Sequence, residues 1–271
     1  MNRVLRKGTQ LALAVLFGCA AAQGATAAEY KLLVEPSYNV QRATEVYQPL
    51  VAYLSKATGH KITLVTSRNY HFFWRDVRQN APVDFMFAEA HFTDFRAKRF
   101  QFEPIARTAE NTTYTLLGSD QLTNTTLNGL IGKGIVTMPS PSMGFAMLLQ
   151  FFPDPVRQPN MMSTAQSWQD GVEIVFAGEA DAAIVPTWLQ NQYPNLIPIA
   201  TSTEFPGAAV SAAPTVPPEA KQAVKDALLK LHEDESAYEV LSELGVTQFI
   251  EASAADYDGD EKVLEGFFGY K

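Results

Sequence analysis

The residues best placed to do chemistry fall in one stretch, Pro139-Ser140-Pro141-Ser142-Met143-Gly144-Phe145. A β-branched run ends just before it, and an apolar helical pattern begins within it. Ser142 stands at the N-cap position, where the first helical N–H groups have no intrahelical acceptor. Those N–H groups, the Ser140 and Ser142 hydroxyls and the positive end of the helix dipole favour an anion, such as a phosphate, phosphonate or carboxylate. Met143 opens the helix, and Gly144 would let a ligand approach the backbone closely. The same residues also suit a plain helix cap, and the sequence leaves both readings open.

Other candidates are spread along the chain. Tyr38 and Tyr70 follow predicted strand ends, where ligand clefts of α/β folds form. His71 and His91 are set among aromatic residues, Glu89 follows an apolar strand, and Trp168 opens a helix where it could stack on a ligand or fill the core. Catalytic motifs are missing: there is no G-x-S-x-G elbow, phosphate-binding Walker loop, G-x-G-x-x-G or H-E-x-x-H. The 4 histidines have no ligand spacing, no Cys/His cluster suits zinc, and no cofactor is expected. The acidic run Asp256–Glu261 lacks the ligand pattern of a calcium loop and reads as a solvated turn. The chemistry expected is binding, with no bond broken.

The elements that must position these residues alternate. Lys31–Val34 reads as a strand, followed by a helix carrying Val46, Tyr47, Leu50, Val51 and Leu54 and ending at Gly59. Pro49 is expected near the start of that helix, because deep inside it would cost about 3 kcal/mol. Ile62–Thr66 and Pro82–Ala88 read as strands, Tyr70–Gln79 and about Glu89–Phe100 as helices. The pattern restarts with strands at Tyr114–Gly118 and Gly134–Met138 and helices at Met143–Phe152 and Trp168–Ala177. Strands at Ala180–Val185, Ile197–Ala200 and Phe205–Ala212 follow, then helices to about Leu231 and over Ala237–Leu244. This grammar predicts an α/β fold of two lobes, each a mixed, mostly parallel sheet flanked by helices, with a cleft between them. Lobe one is expected to comprise 29–113 and 207–271, lobe two 114–206, with a hinge near Tyr114 and Phe205.

Composition narrows the function classes. The 271 residues carry 29 acidic and 21 basic side chains, a net charge of −8 that argues against a nucleic-acid partner. Residues 1–28 hold Arg3, Arg6 and Lys7, a short apolar core and Ala25-Thr26-Ala27, the order of a cleavable export signal. Its removal takes away three basic residues and no acid, so the net charge moves from −8 to −11. It also removes Cys19, whose setting Leu16-Phe17-Gly18-Cys19 offers lipoprotein anchoring as the alternative. A periplasmic protein is expected from this address, and a monomer is expected as well.

Several landmarks, taken in order, resemble the phosphonate- and phosphate-type family of periplasmic solute receptors, which have the type II binding-protein fold. Pro49-Leu50 with Tyr53-Leu54 and Thr58-Gly59 is similar to the family's first helix, and Val83-Asp84-Phe85 to its V-D-I strand. Tyr114 sits near the crossover, Ala177-Gly178-Glu179-Ala180-Asp181-Ala182 resembles A-x-G-x-A-D-A, and Ser202 to Pro206-Gly207 resembles the returning S-x-x-I-P-G. The resemblance covers about residues 30–250. It implies a receptor that closes on a small ligand and hands it to an inner-membrane ABC permease. The alternatives kept open are a receptor signalling to a membrane histidine kinase and an enzyme on the same fold. The family's anion motif is D-P-x-S-T-S-G. Here only its middle hydroxyl remains, as Ser142, while Pro141 and Met143 replace its neighbours. Trp168 stands where these receptors often place a ligand-binding histidine, and Ala88-Glu89 replaces a small glycine turn. Each missing charge-assisted bond is worth about 1.5–3 kcal/mol, and Met143, Trp168 and Glu89 instead suit a ligand with an apolar body and an amine.

Overall fold

A computed structural model describes residues 27–271. Most of the export signal and Cys19 lie outside the described residues. The elements run β1 (Glu29–Val34), α1 (Val40–Thr58), β2 (Lys61–Val65), α2 (Tyr70–Arg78), β3 (Phe85–Ala88), α3 (Ala90–Phe100), β4 (Glu103–Thr108) and β5 (Tyr114–Gly118). They continue with β6 (Gly134–Val136), α4 (Met143–Phe151), β7 (Asn160–Met162), α5 (Trp168–Phe176), β8 (Ala182–Pro186) and β9 (Ile197–Thr201). The chain then forms β10 (Ala209–Ala212), α6 (Pro218–Lys230), α7 (Tyr238–Leu244) and β11 (Phe249–Glu251). None of the described helices is long and apolar enough to cross a membrane.

The strands form two sheets, one of 6 strands in the order β11-β4-β10-β3-β1-β2 and one of 5 in the order β7-β6-β8-β5-β9. Both are mixed. β1 pairs in parallel with β2 and β3, and β6 with β7 and β8. β10 and β5, the strands that follow the crossings between sheets, pair antiparallel with both their neighbours. The antiparallel share is therefore larger than simple βα alternation suggests. β3, β5, β8 and β10 are buried at every position, which is why they read as uninterrupted apolar runs.

Local signals account for most helix ends. Asn39 caps α1 by accepting from the Arg42 N–H, and Gly59 closes it with φ +70°. Pro49, expected near the start of α1, lies in its interior. The missing hydrogen bond is offset because α1 buries Ala43, Val46 and Tyr47 before the proline and Leu50, Val51 and Leu54 after it. The strand expected over Pro82–Ala88 is shortened to Phe85–Ala88, and that expected over Phe205–Ala212 to Ala209–Ala212. In both cases proline punctuates the lost part.

The chain crosses between the sheets twice, and the two crossings run side by side. Thr112 and Phe205 exchange both backbone hydrogen bonds, N to O at 2.8 and 2.9 Å. Gly207 has no room for a side chain, since a Cβ would collide with the Thr108 hydroxyl and the Glu110 carbonyl. Tyr257 donates to the Gly207 carbonyl at 2.7 Å. The acidic run around Tyr257 is not the solvated turn expected: it packs against α3. Asp94 of α3, 1% exposed, accepts from the N–H groups of Gly259 (3.0 Å) and Glu261 (2.9 Å) and pairs with Lys98. Further along, Phe267 meets Phe145 of α4, with ring centroids 5.8 Å apart.

Candidate functional site

The strand register brings two glutamates together. In the parallel pair of β1 and β3, Val34 lies opposite Phe87, and the Glu35 N–H donates to the Phe87 carbonyl at 3.1 Å. Glu35 and Glu89 therefore leave the sheet at the same carboxyl edge. The Glu89 N–H donates to one oxygen of Glu35 at 2.7 Å, and the Tyr70 hydroxyl donates to the other at 2.8 Å. The Tyr114 hydroxyl of β5, in the second sheet, donates to Glu89 Oε1. Glu89 Oε2 is shielded from solvent and has no partner, although the residue as a whole is half-buried.

His91, the second residue of α3, is fully buried. Its Nε2 meets the Pro141 carbonyl at 3.1 Å, a contact that joins the α3 side to the α4 side. A carbonyl can only accept, so Nε2 carries the proton and Nδ1, which has no partner, keeps its lone pair. Glu35, Glu89 and His91 each offer one ligand atom within 4.8 Å of the others, so this trio is where a cation could be held. Burial, with no positive neighbour to oppose it, raises Glu89 to about 7. Burial first and the nearby Glu89 second push Glu35 well above the usual carboxylate range. Burial lowers the His91 imidazole to about 3, leaving it neutral.

Two cavities lie between the sheets. The smaller, of about 210 Å³, is walled by Glu35, Tyr38, Tyr47, Phe87 and Glu89 on one side, Trp168 and Trp188 on the other, and the crossing residues Thr112 and Thr113 behind. The larger, of about 430 Å³, is lined by Tyr38, Arg68 and Tyr70, by Asn39 and Asn69 at the N-termini of α1 and α2, and by Pro139 and Thr164 opposite. Tyr38 lines both.

Of the residues singled out by the sequence, the structure thus brings Tyr38, Tyr70, Glu89 and Trp168 to these cavities. His91 is not in either lining but supports the glutamate pair from behind. His71 points away, exposed on α2. Ser140 is half-buried and, like Ser142, Met143 and Gly144, lines neither cavity. Ser142 is fully buried; its hydroxyl accepts the Phe145 N–H at 3.3 Å and donates to the Met138 carbonyl at 3.2 Å. Both its hydrogen-bonding roles are thereby used within the protein. Gly144, expected to admit a ligand, instead admits Trp168: a Cβ there would lie 2.8 Å from Cζ3 of the indole. The indole also meets Tyr114 edge-on at 5.5 Å, so Trp168 is a wall of the cavity and a core residue at once.

Sequence reasoning missed Glu35, Tyr47, Phe87 and Tyr114 as site residues. A signal for the first existed. Both Leu32-Leu33-Val34-Glu35 and Phe85-Met86-Phe87-Ala88-Glu89 are apolar strands that end on a glutamate, and adjacent parallel strands place such ends together. Tyr47 and Phe87 fit the apolar pattern of their elements and carried no separate mark.

Comparison with known proteins agrees with this architecture. The family model described as "ABC transporter, phosphonate, periplasmic substrate-binding protein" matches residues 32–257. No curated protein sequence matches the chain. Among solved structures, PhnD1 from Prochlorococcus marinus in complex with methylphosphonate superposes with a TM-score of 0.75 at 15% identity, over 87% of this chain and 97% of that one. A binding-protein component of an ABC phosphonate transporter from Pseudomonas aeruginosa gives 0.71 at 15% identity, over 85% and 83%. A Xanthomonas citri protein bound to ATP gives 0.67 at 12% identity, over 87% and 95%. Identities this low carry the fold and not the ligand. The family match extends over most of the sequence, and the chain belongs to the phosphonate-binding family of ABC-transporter periplasmic substrate-binding proteins.

Proposed function

We propose that this chain is a receptor whose two lobes, 29–113 with 207–271 and 114–206, close around a small solute and present it to an inner-membrane ABC permease. The observation that carries this reading is the cavity of about 210 Å³ walled from both sheets and backed by the paired crossings. A ligand there touches both lobes at once and therefore selects the closed arrangement. The crossings are short and held to each other at Thr112 and Phe205, so they can bend together while each sheet moves as a body. No step of bond making or breaking is needed for this role.

X-ray scattering of the purified protein tests the motion. A solute that raises the melting temperature should also reduce the radius of gyration. Methylphosphonate, the molecule held by the Prochlorococcus marinus protein, is one of the solutes to try. Saturating ligand with an unchanged radius would rule out lobe closure. Residues 1–28 are read as an address removed on export; the intact mass of protein recovered from the periplasm should correspond to a chain starting at Ala28 or Glu29. A mass that includes a lipidated Cys19 would replace cleavage there by anchoring.

A further inference from the structure

The smaller cavity has walls of one electrical character. Glu35 and Glu89 stand on one side of it, Tyr38, Tyr47, Phe87 and Trp168 supply aromatic surface, and Glu110 adds a third acid. Among the described residues that line it there is no lysine, arginine or histidine. The groups that face the glutamate pair are Tyr47 from α1, Tyr70 from α2, Tyr114 from β5, His91 from α3 and the Glu89 main-chain N–H. None is positively charged: burial keeps the three phenols protonated and the imidazole neutral. One oxygen of Glu89 is shielded and unpartnered. A buried carboxylate without a counter-charge is costly, so the pair either holds protons or awaits a cation from outside.

We infer that this cavity recognises a small organic ammonium ion, with the Glu35–Glu89 pair as its counter-charge and the aromatic walls as the surface for its apolar substituents. The inference rests on the receptor reading above and names the ligand class for the same cleft. Carboxylates and aromatic rings attract the same kind of guest, a weakly hydrated cation. A free anion entering the cavity meets three acids and no cationic side chain, which is discrimination by repulsion as much as by fit. The volume, about 210 Å³, equals the liquid volume of about seven waters. That is room enough for choline or a short diamine.

Calorimetric titration of the full chain with choline, putrescine and methylphosphonate, at about pH 8, tests this. Choline or putrescine should bind. Glu89→Gln and, separately, Glu35→Gln should each lower that affinity about tenfold or more, each variant first shown folded by its thermal transition. Methylphosphonate should not bind. Ammonium binding that is unchanged in both variants overturns the inference, as does saturation by methylphosphonate without ammonium binding. Heat seen only with Mn²⁺ or Zn²⁺, and abolished by His91→Ala, makes Glu35, Glu89 and His91 a metal site and overturns it too. Methylphosphonate binding with compaction in scattering leaves the receptor reading standing while the ammonium reading falls. Silence from every probe, with no compaction, removes both.

Discussion

Trp168→Ala lowers the unfolding free energy by about 3–5 kcal/mol, the cost of truncating a buried aromatic residue that leaves a cavity. Trp168 is 5% exposed, seats its ring against Gly144 and meets Tyr114 edge-on, so its loss empties space that no neighbour can fill. Denaturant unfolding reads this directly as a lower midpoint at unchanged slope. A second substitution separates the contact from general damage. Gly144→Ala alone drives a methyl group into an indole 2.8 Å away and costs about 1–3 kcal/mol. In the Trp168→Ala background that clash is gone, and alanine replaces glycine within a helix, which favours folding by up to about 1 kcal/mol. The effect of Gly144→Ala thus changes sign between the two backgrounds. Additive costs would show that the glycine is required for some reason other than the indole.

Glu89→Gln makes the protein more stable at about pH 8 and flattens its pH dependence. The folded-state value of about 7 lies above the ordinary value of 4.5 because burial disfavours the charged form. A raised carboxyl contributes stability that is fully present below about pH 4.5 and is lost as the pH rises through about 7. The wild-type protein free of ligand is therefore more stable at about pH 5 than at about pH 8, by on the order of 2 kcal/mol from this group. The glutamine carries no charge to desolvate, and it also relieves the repulsion that holds Glu35 up. Asp260, raised to about 6 by burial and by Asp94, titrates in the same window in both proteins and cancels in the comparison. Melting temperatures measured from about pH 5 to 8 check this. A variant whose curve parallels the wild type would show that Glu89 is already charged in the folded state.

The fold was legible in the sequence wherever burial on both faces or a cap left a mark. Apolar runs such as Phe85–Ala88 and Ala182–Val185, and the Ser142 cap, needed no tertiary information. β4 was hidden, because Glu103-Pro104 and Arg107 break its apolar pattern even though it lies inside the sheet between β10 and β11. β7 and β11, at 3 residues each, are too short to show a period. The candidate site was half legible. Glu89 and Trp168 stood out by replacing types expected from the family resemblance. Glu35 was obscured because its significance is a matter of register: only the β1–β3 pairing brings it beside Glu89. At Ser142 the sequence shows the cap but not its exposure: that the hydroxyl is buried and bonded to Phe145 and Met138 is decided by packing.

Three contacts described above span the cleft: Tyr114 to Glu89, His91 to the Pro141 carbonyl, and Phe145 to Phe267. Their consequence is kinetic. In the proposed closure these contacts act as latches, so entry and escape both wait on the rate at which they release and re-form. Affinity reflects the same contacts, because re-forming them is part of the closing work that the ligand drives. Residence time lengthens as well, and a tightly latched carrier unloads slowly when left to itself. In the proposed role, delivery at a useful rate falls to the permease, which must pull the halves apart. The latch residues, and not only those lining the cavity, govern how fast cargo is surrendered.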